Sequence, residues 1–102
     1  MKIIEKLSRM IEEELDGAEE YIECALKYKD EHPSVAKAFY DISLVEMQHV
    51  TILHNEVTRL IEEHRRKVGD PPAPMLAVYN YLHEKHMKKA HEIKLYQDEY
   101  RS

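Results

Sequence analysis

The sequence predicts an all-α fold in which a long antiparallel helical hairpin is followed by a third helix. Charged residues make up 34% of the 102 residues and hydrophobic residues 43%, with only two glycines, a mixture typical of long amphipathic helices. Strong helix breakers are confined to two short stretches, so the rest of the chain can be continuous helix. One domain is expected at this length.

The two breaker stretches set the expected helix boundaries. Pro33 favours a helix that begins at that residue and disfavours helix in the residue before it. The second stretch, 68–74, contains a glycine and three prolines. Because the first connection is very short, helices 1 and 2 must be antiparallel. The expected helices are about 3–30, 33–66 and 75–100.

Charge and cysteine content narrow the classes of partner and compartment. The formal net charge of −5 argues against nucleic acid or an anionic membrane as the main partner. Cys24 is the only cysteine, which excludes an intrachain disulfide and a cysteine-based metal site and favours a reducing compartment. The first 14 residues are interrupted by charges and lack the apolar core of a signal peptide. We therefore expect a cytoplasmic protein without a membrane segment.

Apolar residues recur at three- and four-residue steps along helices 1 and 2, and a glutamate interrupts each apolar stripe. Glu14 interrupts the first stripe, and Glu46 the second, with His49 about 60° to one side. Glu14 lies about 16 residues before the end of helix 1 and Glu46 about 13 residues into helix 2, so their heights differ by about one turn or less. We expect the hairpin to bring these three side chains together in its interior.

Two glutamates and a histidine at one level suggest a metal site. A buried carboxylate without a partner is costly, and two neighbouring carboxylates repel each other. A divalent cation resolves both problems, and this donor set suits iron, manganese or zinc. Glu46 and His49, at i and i+3, can bind one metal, while Glu46 can also bridge to a second. Taken singly, each glutamate has an ordinary alternative role as a surface residue or half of an ion pair.

Two short motifs resemble the rubrerythrin and ferritin-like superfamily. Residues 14–21, Glu-Leu-Asp-Gly-Ala-Glu-Glu-Tyr, resemble its first-helix pattern E-x6-Y, and residues 46–49, Glu-Met-Gln-His, resemble its second-helix pattern E-x-x-H. The resemblance implies that Glu14, Glu46 and His49 are ligands of a di-iron centre, with Tyr21 as a second-shell or redox-active residue. It also implies an oxidoreductase of the ferroxidase or peroxidase type, which oxidises Fe(II) or reduces oxygen or peroxide. Oxygen or peroxide would be the small-molecule oxidant.

This chain departs from that family in carrying only one such helix pair. A di-iron bundle needs one glutamate from each of two helices and Glu-x-x-His from each of the other two, which two copies of the chain would supply. We therefore expect a ferritin-like four-helix bundle completed by dimerisation, as a homodimer or a larger homo-oligomer, similar to encapsulated ferritins. Apolar strips that one chain cannot easily cover support assembly: Leu15, Ile22, Leu26, Leu44, Val45 and Ile52.

Helix 3 carries an apolar stripe with His86 at its centre and His83 at its edge, whereas Glu84 and His91 point away from it. His86, or His83, is a candidate extra metal ligand or proton shuttle; the alternative is a hydrogen-bonded core histidine. Two rival functions also remain open. One is a metal-free helical dimerisation or interaction module, and the other is a bundle with a purely structural metal such as zinc.

Overall fold

The computed structural model describes all 102 residues, which form three helices and no strand. Helix α1 spans Lys2–Tyr28, α2 spans Pro33–Lys67 and α3 spans Ala73–Arg101. The prediction of an all-α hairpin followed by a third helix is confirmed. None of the three helices combines the length and the apolar character that a membrane-spanning segment needs.

The ends of the helices differ from the expected ones by about two residues. The helix α3 begins at Ala73 because Pro72 is its N-cap and Pro74 lies in its first turn, where the missing proline N–H costs no hydrogen bond. The helix α1 ends at Tyr28 rather than at residue 30. Gly69 follows α2 with φ at 112°, a left-handed conformation that terminates a helix readily only when the residue is glycine.

The helix α1 is the central element of the fold. Its apolar residues at three- and four-residue steps are almost fully buried: Ile4, Ile11, Leu15, Ala18, Ile22 and Ala25. The N-terminal amine of Met1 donates a hydrogen bond to the Tyr79 hydroxyl at 2.7 Å, and Lys29 Nζ donates to the Tyr100 carbonyl at 2.6 Å. These contacts at opposite ends show that α3 runs parallel to α1 and therefore antiparallel to α2.

Ion pairs show which side of α1 is covered by α3. Lys85 Nζ lies 3.5 Å from Glu12 Oε1, and Lys89 pairs with Asp16. Positions 12 and 16 lie about 200° around the helix from Glu14, on the opposite side of α1. The third helix therefore packs on the back of the hairpin, and the Glu14 side remains uncovered.

This placement of α3 corrects one expectation about uncovered apolar strips. Leu15 and Ile22 were expected to need a second chain, but they are 1% and 0% exposed within one chain. That expectation was wrong for these two residues because α2 and α3 together enclose the strip on α1 that carries them. Val45 and Ile52 of α2, by contrast, are exposed.

The helices α2 and α3 contact each other mainly at one end of the molecule. Gln97 Nε2 donates to Ser43 Oγ at 3.2 Å, and Arg101 donates to the Tyr40 hydroxyl at 2.6 Å. Tyr40 also stacks on Tyr100, with ring centroids 4.5 Å apart. These contacts fix the C-terminal end of α3 on the first half of α2.

The molecule is elongated for its size. It measures 56 × 19 × 17 Å, with a radius of gyration of 16.4 Å, against about 13 Å expected for a compact chain of this length. The reason is that α2 alone, with 35 residues, is about 52 Å long. Because α3 is the only helix that packs on the long hairpin, the other side of the hairpin stays accessible.

Candidate metal centre

Glu14, Glu46 and His49 form the one group of three or more His, Cys, Asp or Glu residues whose donor atoms converge closely enough for a metal ion. One donor atom from each lies within 4.8 Å of the others. His49 Nδ1 is 3.3 Å from Glu14 Oε2, so α1 and α2 are bridged at this level. The register expected from the short loop between the two helices is therefore confirmed.

The cluster lies at the surface of one chain, not in its interior. The side chain of His49 is 47% exposed and that of Glu14 is 29% exposed. The expectation that the hairpin buries these side chains was therefore wrong for a single chain. The physical reason is the position of α3, which covers the other side of α1 and leaves this side open.

Exposed apolar side chains lie on the same side of the hairpin as the cluster. Helical phase places Ile3 and Met10 on the Glu14 side of α1, and Val35 and Ile42 on the Glu46 side of α2. Val45 and Ile52 flank His49 in the same way. We call the surface formed by the cluster and these residues the open face; all six apolar residues are at least 37% exposed, and Ile52 is 62% exposed.

Gly17 provides the space that the Glu46 carboxylate occupies. A Cβ atom added at Gly17 would lie 3.3 Å from Glu46 Oε2, closer than a comfortable contact. Gly17 is one turn along α1 from Glu14, so the missing side chain admits the carboxylate beside the helix. The role of Gly17 was not predicted from the sequence, although its position at i+3 from a candidate ligand is a signal that could have indicated it.

The two carboxylates are electrostatically coupled. A hydrogen bond from the protonated Glu46 carboxyl to Glu14 raises the pKa of Glu46, burial and the charge of Glu14 raise it further, and His49 lowers it. A positive charge between the two carboxylates would relieve the same repulsion. Two carboxylates and an imidazole suit iron, manganese or zinc better than a purely oxygen-binding ion. The residues therefore fit the predicted metal.

The Tyr21 ring packs on Phe39, with ring centroids 6.1 Å apart. It lies one turn beyond Gly17, on the same side of α1 as Glu14 and about 10 Å along the helix from it. The predicted second-shell role of Tyr21 stays a prediction.

The histidines of α3 lie apart from this cluster. His86 is buried on the opposite side of α1, with Nε2 3.3 Å from Glu12 Oε1. His83 contacts His54 of α2, with 3.0 Å between His83 Nδ1 and His54 Nε2. The structure thus brings together three of the four candidate ligands and leaves His86 in a separate, hydrogen-bonded position. Glu84 and His91 are exposed, as their helical phase indicated.

Comparisons with known proteins neither extend nor contradict this description: no family model, no curated protein and no solved structure matches the chain.

Proposed function

We propose that this chain is a ferritin-like di-iron carboxylate protein whose metal centre is completed by a second copy of the chain. The observation that carries the proposal is the convergence of Glu14, Glu46 and His49 at the centre of an apolar open face. A site used by one chain alone would not need apolar surroundings exposed to water. The proposal accounts for the donor atoms and for their location together.

The composition of the site supports the requirement for two copies. One chain supplies two glutamates and one histidine within 4.8 Å. A dinuclear site of this class uses four glutamates and two histidines, which a two-fold symmetric pair supplies. Such a dimer would join two hairpins into a four-helix bundle and cover the open face, with α3 of each chain on the outside.

The proposed activity is the oxidation of Fe(II) or the reduction of oxygen or peroxide, and a bound iron pair would supply the electrons for that reaction. Glu14 and His49 would hold the metal as terminal ligands, and Glu46 would bridge. The neighbouring charge of Glu14, which contributes to the raised pKa of Glu46, would favour the uptake of a cation between the two carboxylates. The apolar residues of the open face would exclude bulk water once two chains associate.

The open face also favours a second candidate function, a metal-free dimerisation or interaction module. Exposed Ile52, Val45 and Val35 would suit the packing of another helix without any metal. The two functions differ in what the centre of the interface requires. Two coupled carboxylates in an interface that binds no cation would oppose association, whereas a di-iron site needs them.

The test is metal analysis of the tag-free protein together with its mass in solution. We expect about two iron or manganese ions per dimer, and Glu46→Ala should abolish both metal binding and Fe(II) oxidation. Glu23→Ala is a matched control, because Glu23 is an exposed glutamate on α1 away from the cluster. A dimer that binds no metal at the cluster would support the interaction module. One zinc ion per chain that is lost in Glu46→Ala and shows no redox activity would support a structural metal. Unchanged iron oxidation by Glu46→Ala would refute the site assignment.

A further inference from the structure

A cavity of about 240 Å³ lies between the first half of α1, the second half of α2 and the first half of α3. Ile4, Ile11 and Leu76 form part of its apolar wall, and three of its fifteen lining residues are histidines. These histidines, His54, His83 and His86, come from two different helices. Such a concentration of imidazoles in one small cavity is not needed for packing, because apolar residues of similar size would fill it.

Two of the histidines approach each other closely. His54 Nε2 and His83 Nδ1 are 3.0 Å apart, and the rings are tilted by 32° with centroids 5.0 Å apart. In a tetrahedral site with Zn–N bonds of 2.0–2.1 Å, the two nitrogen atoms would be separated by about 3.3 Å. The pair therefore needs to open by only about 0.3 Å to accept such an ion between its nitrogen atoms.

We propose that His54 and His83 form a second metal site, which binds a divalent transition-metal ion of the Zn²⁺, Ni²⁺ or Cu²⁺ class between α2 and α3. Imidazole nitrogens select these ions over magnesium and calcium, which prefer oxygen ligands. Both histidines line the cavity, which has room for water or a small ligand to complete the coordination. The site is distinct from the carboxylate cluster, because His54 lies about 12 Å along α2 from Glu46 and about 140° around the helix from His49.

Burial lowers the pKa of His54, and the neighbouring His83 and His86 lower it further. Metal ions bind an imidazole in its neutral form.

A metal ion at this position would connect two helices where few other contacts join them. The hydrogen bonds of α3 to α2 at Ser43 and Tyr40 lie at the far end of the molecule. At the cavity end, the His54–His83 contact is the one side-chain hydrogen bond between α2 and α3. We therefore expect the ion to stabilise the docking of the N-terminal half of α3.

The experiment uses the full chain with Glu14→Gln and Glu46→Gln, which removes the carboxylate site and leaves the cavity intact. Calorimetric titration with Zn²⁺ should show one ion bound per chain. Thermal unfolding should show a Tm that is raised by Zn²⁺. His54→Ala and His83→Ala should each weaken binding by more than about 100-fold, because the loss of a residue that only supports a metal ligand typically costs about 10–100-fold. His91→Ala, at an exposed histidine of the same helix α3, is the matched control and should bind Zn²⁺ normally.

A spectroscopic readout separates direct ligation from a loss of folding. Cu²⁺ bound to the background variant should show the absorption and hyperfine signals of nitrogen ligands, and these should disappear in His83→Ala. His83 is exposed, so its replacement should leave the helical circular dichroism unchanged even if His54→Ala perturbs packing. Zn²⁺ binding that persists in His83→Ala with unchanged affinity, or that is lost equally in His91→Ala, would overturn the proposal.

Discussion

Replacement of Glu46 by glutamine should stabilise the metal-free protein and remove its stabilisation by metal. The donor oxygens of Glu14 and Glu46 lie within 4.8 Å of each other. Two negative charges at that separation repel by about 0.9 kcal/mol in water and about 3.5 kcal/mol at an effective dielectric constant of 20. Because Glu14 is partly exposed, we expect a gain near the lower value, about 1 kcal/mol, or about 4–8 °C in Tm.

The pH dependence of this gain follows from the direction of the pKa shift. The folded chain holds the Glu46 proton more tightly than the unfolded chain, whose pKa is near the ordinary value of 4.5. The stability that this proton contributes is complete below that value and is lost as pH rises through the raised pKa of the folded state. The variant and the parent protein should therefore have equal Tm at pH 3 and diverge as pH rises to 7.

Thermal unfolding followed by circular dichroism between pH 3 and pH 8, with a chelator present, measures this difference. Glu23→Gln is the control, because this exposed glutamate of α1 lies outside the cluster and its replacement should give no pH-dependent change. Added Mn²⁺ should raise the Tm of the parent protein and leave that of Glu46→Gln unchanged. A variant that is less stable than the parent at pH 7, or a difference that does not vary with pH, would refute the repulsion between Glu14 and Glu46.

Three further substitutions test the fold and the open face. Gly17→Ala should stabilise helix α1 by up to about 1 kcal/mol through its higher helix propensity. It should nevertheless weaken metal binding, because the new methyl group displaces the Glu46 carboxylate. Unchanged affinity in a metal titration would contradict this. Gly69→Ala should lose about 1 kcal/mol or more in chemical unfolding, since its φ of 112° strains any side chain, and a neutral effect would contradict a left-handed helix end. Ile52→Glu should shift the solution mass, measured by light scattering, from dimer to monomer; an unchanged dimer would exclude the open face as the interface.

The helices were predictable because local chemistry determines them. Pro33 and the stretch 68–74 interrupt the chain strongly enough to set both connections, and the observed ends differ from the expected ones by about two residues. One difference of two residues arose at the start of α3, where the prolines of the stretch 68–74 were treated only as helix breakers. A proline in a first helical turn has no hydrogen bond to lose, so it begins a helix as readily as it ends one.

The convergence of Glu14, Glu46 and His49 was also predictable, since a short loop leaves little freedom in the register of two antiparallel helices. Their exposure was not. The helix α1 carries two adjacent apolar strips, and periodicity alone does not determine which of them α3 covers. The answer depends on long-range packing between α3 and α1, and the ion pairs of Lys85 and Lys89 with the acidic side of α1 mark where it occurs.

The His54–His83 contact was missed for a related reason. His83 was placed at the edge of the apolar stripe of α3, but His54 was not among the predicted site residues. The sequence nevertheless contains a signal that indicates this contact. His54 lies about 13 residues before the end of α2 and His83 about 10 residues into α3, so an antiparallel pair of these helices places the two histidines at similar heights. Only the direction of α3 was needed to recognise it.

The position of α3 also bears on how metal binding and dimerisation would depend on each other. With one side of the hairpin covered within the chain, only the open face is left for a second copy, and two copies would place four carboxylates at one interface. Burial of Ile52 and its apolar neighbours favours that association, whereas the carboxylates oppose it until a cation is bound. Because such coupling is reciprocal, a cation that binds the dimer more tightly than the monomer must strengthen dimerisation by the same factor. A dimer dissociation constant that falls when Mn²⁺ is added, and that loses this dependence in Glu46→Gln, would distinguish the di-iron proposal from a metal-free interaction module.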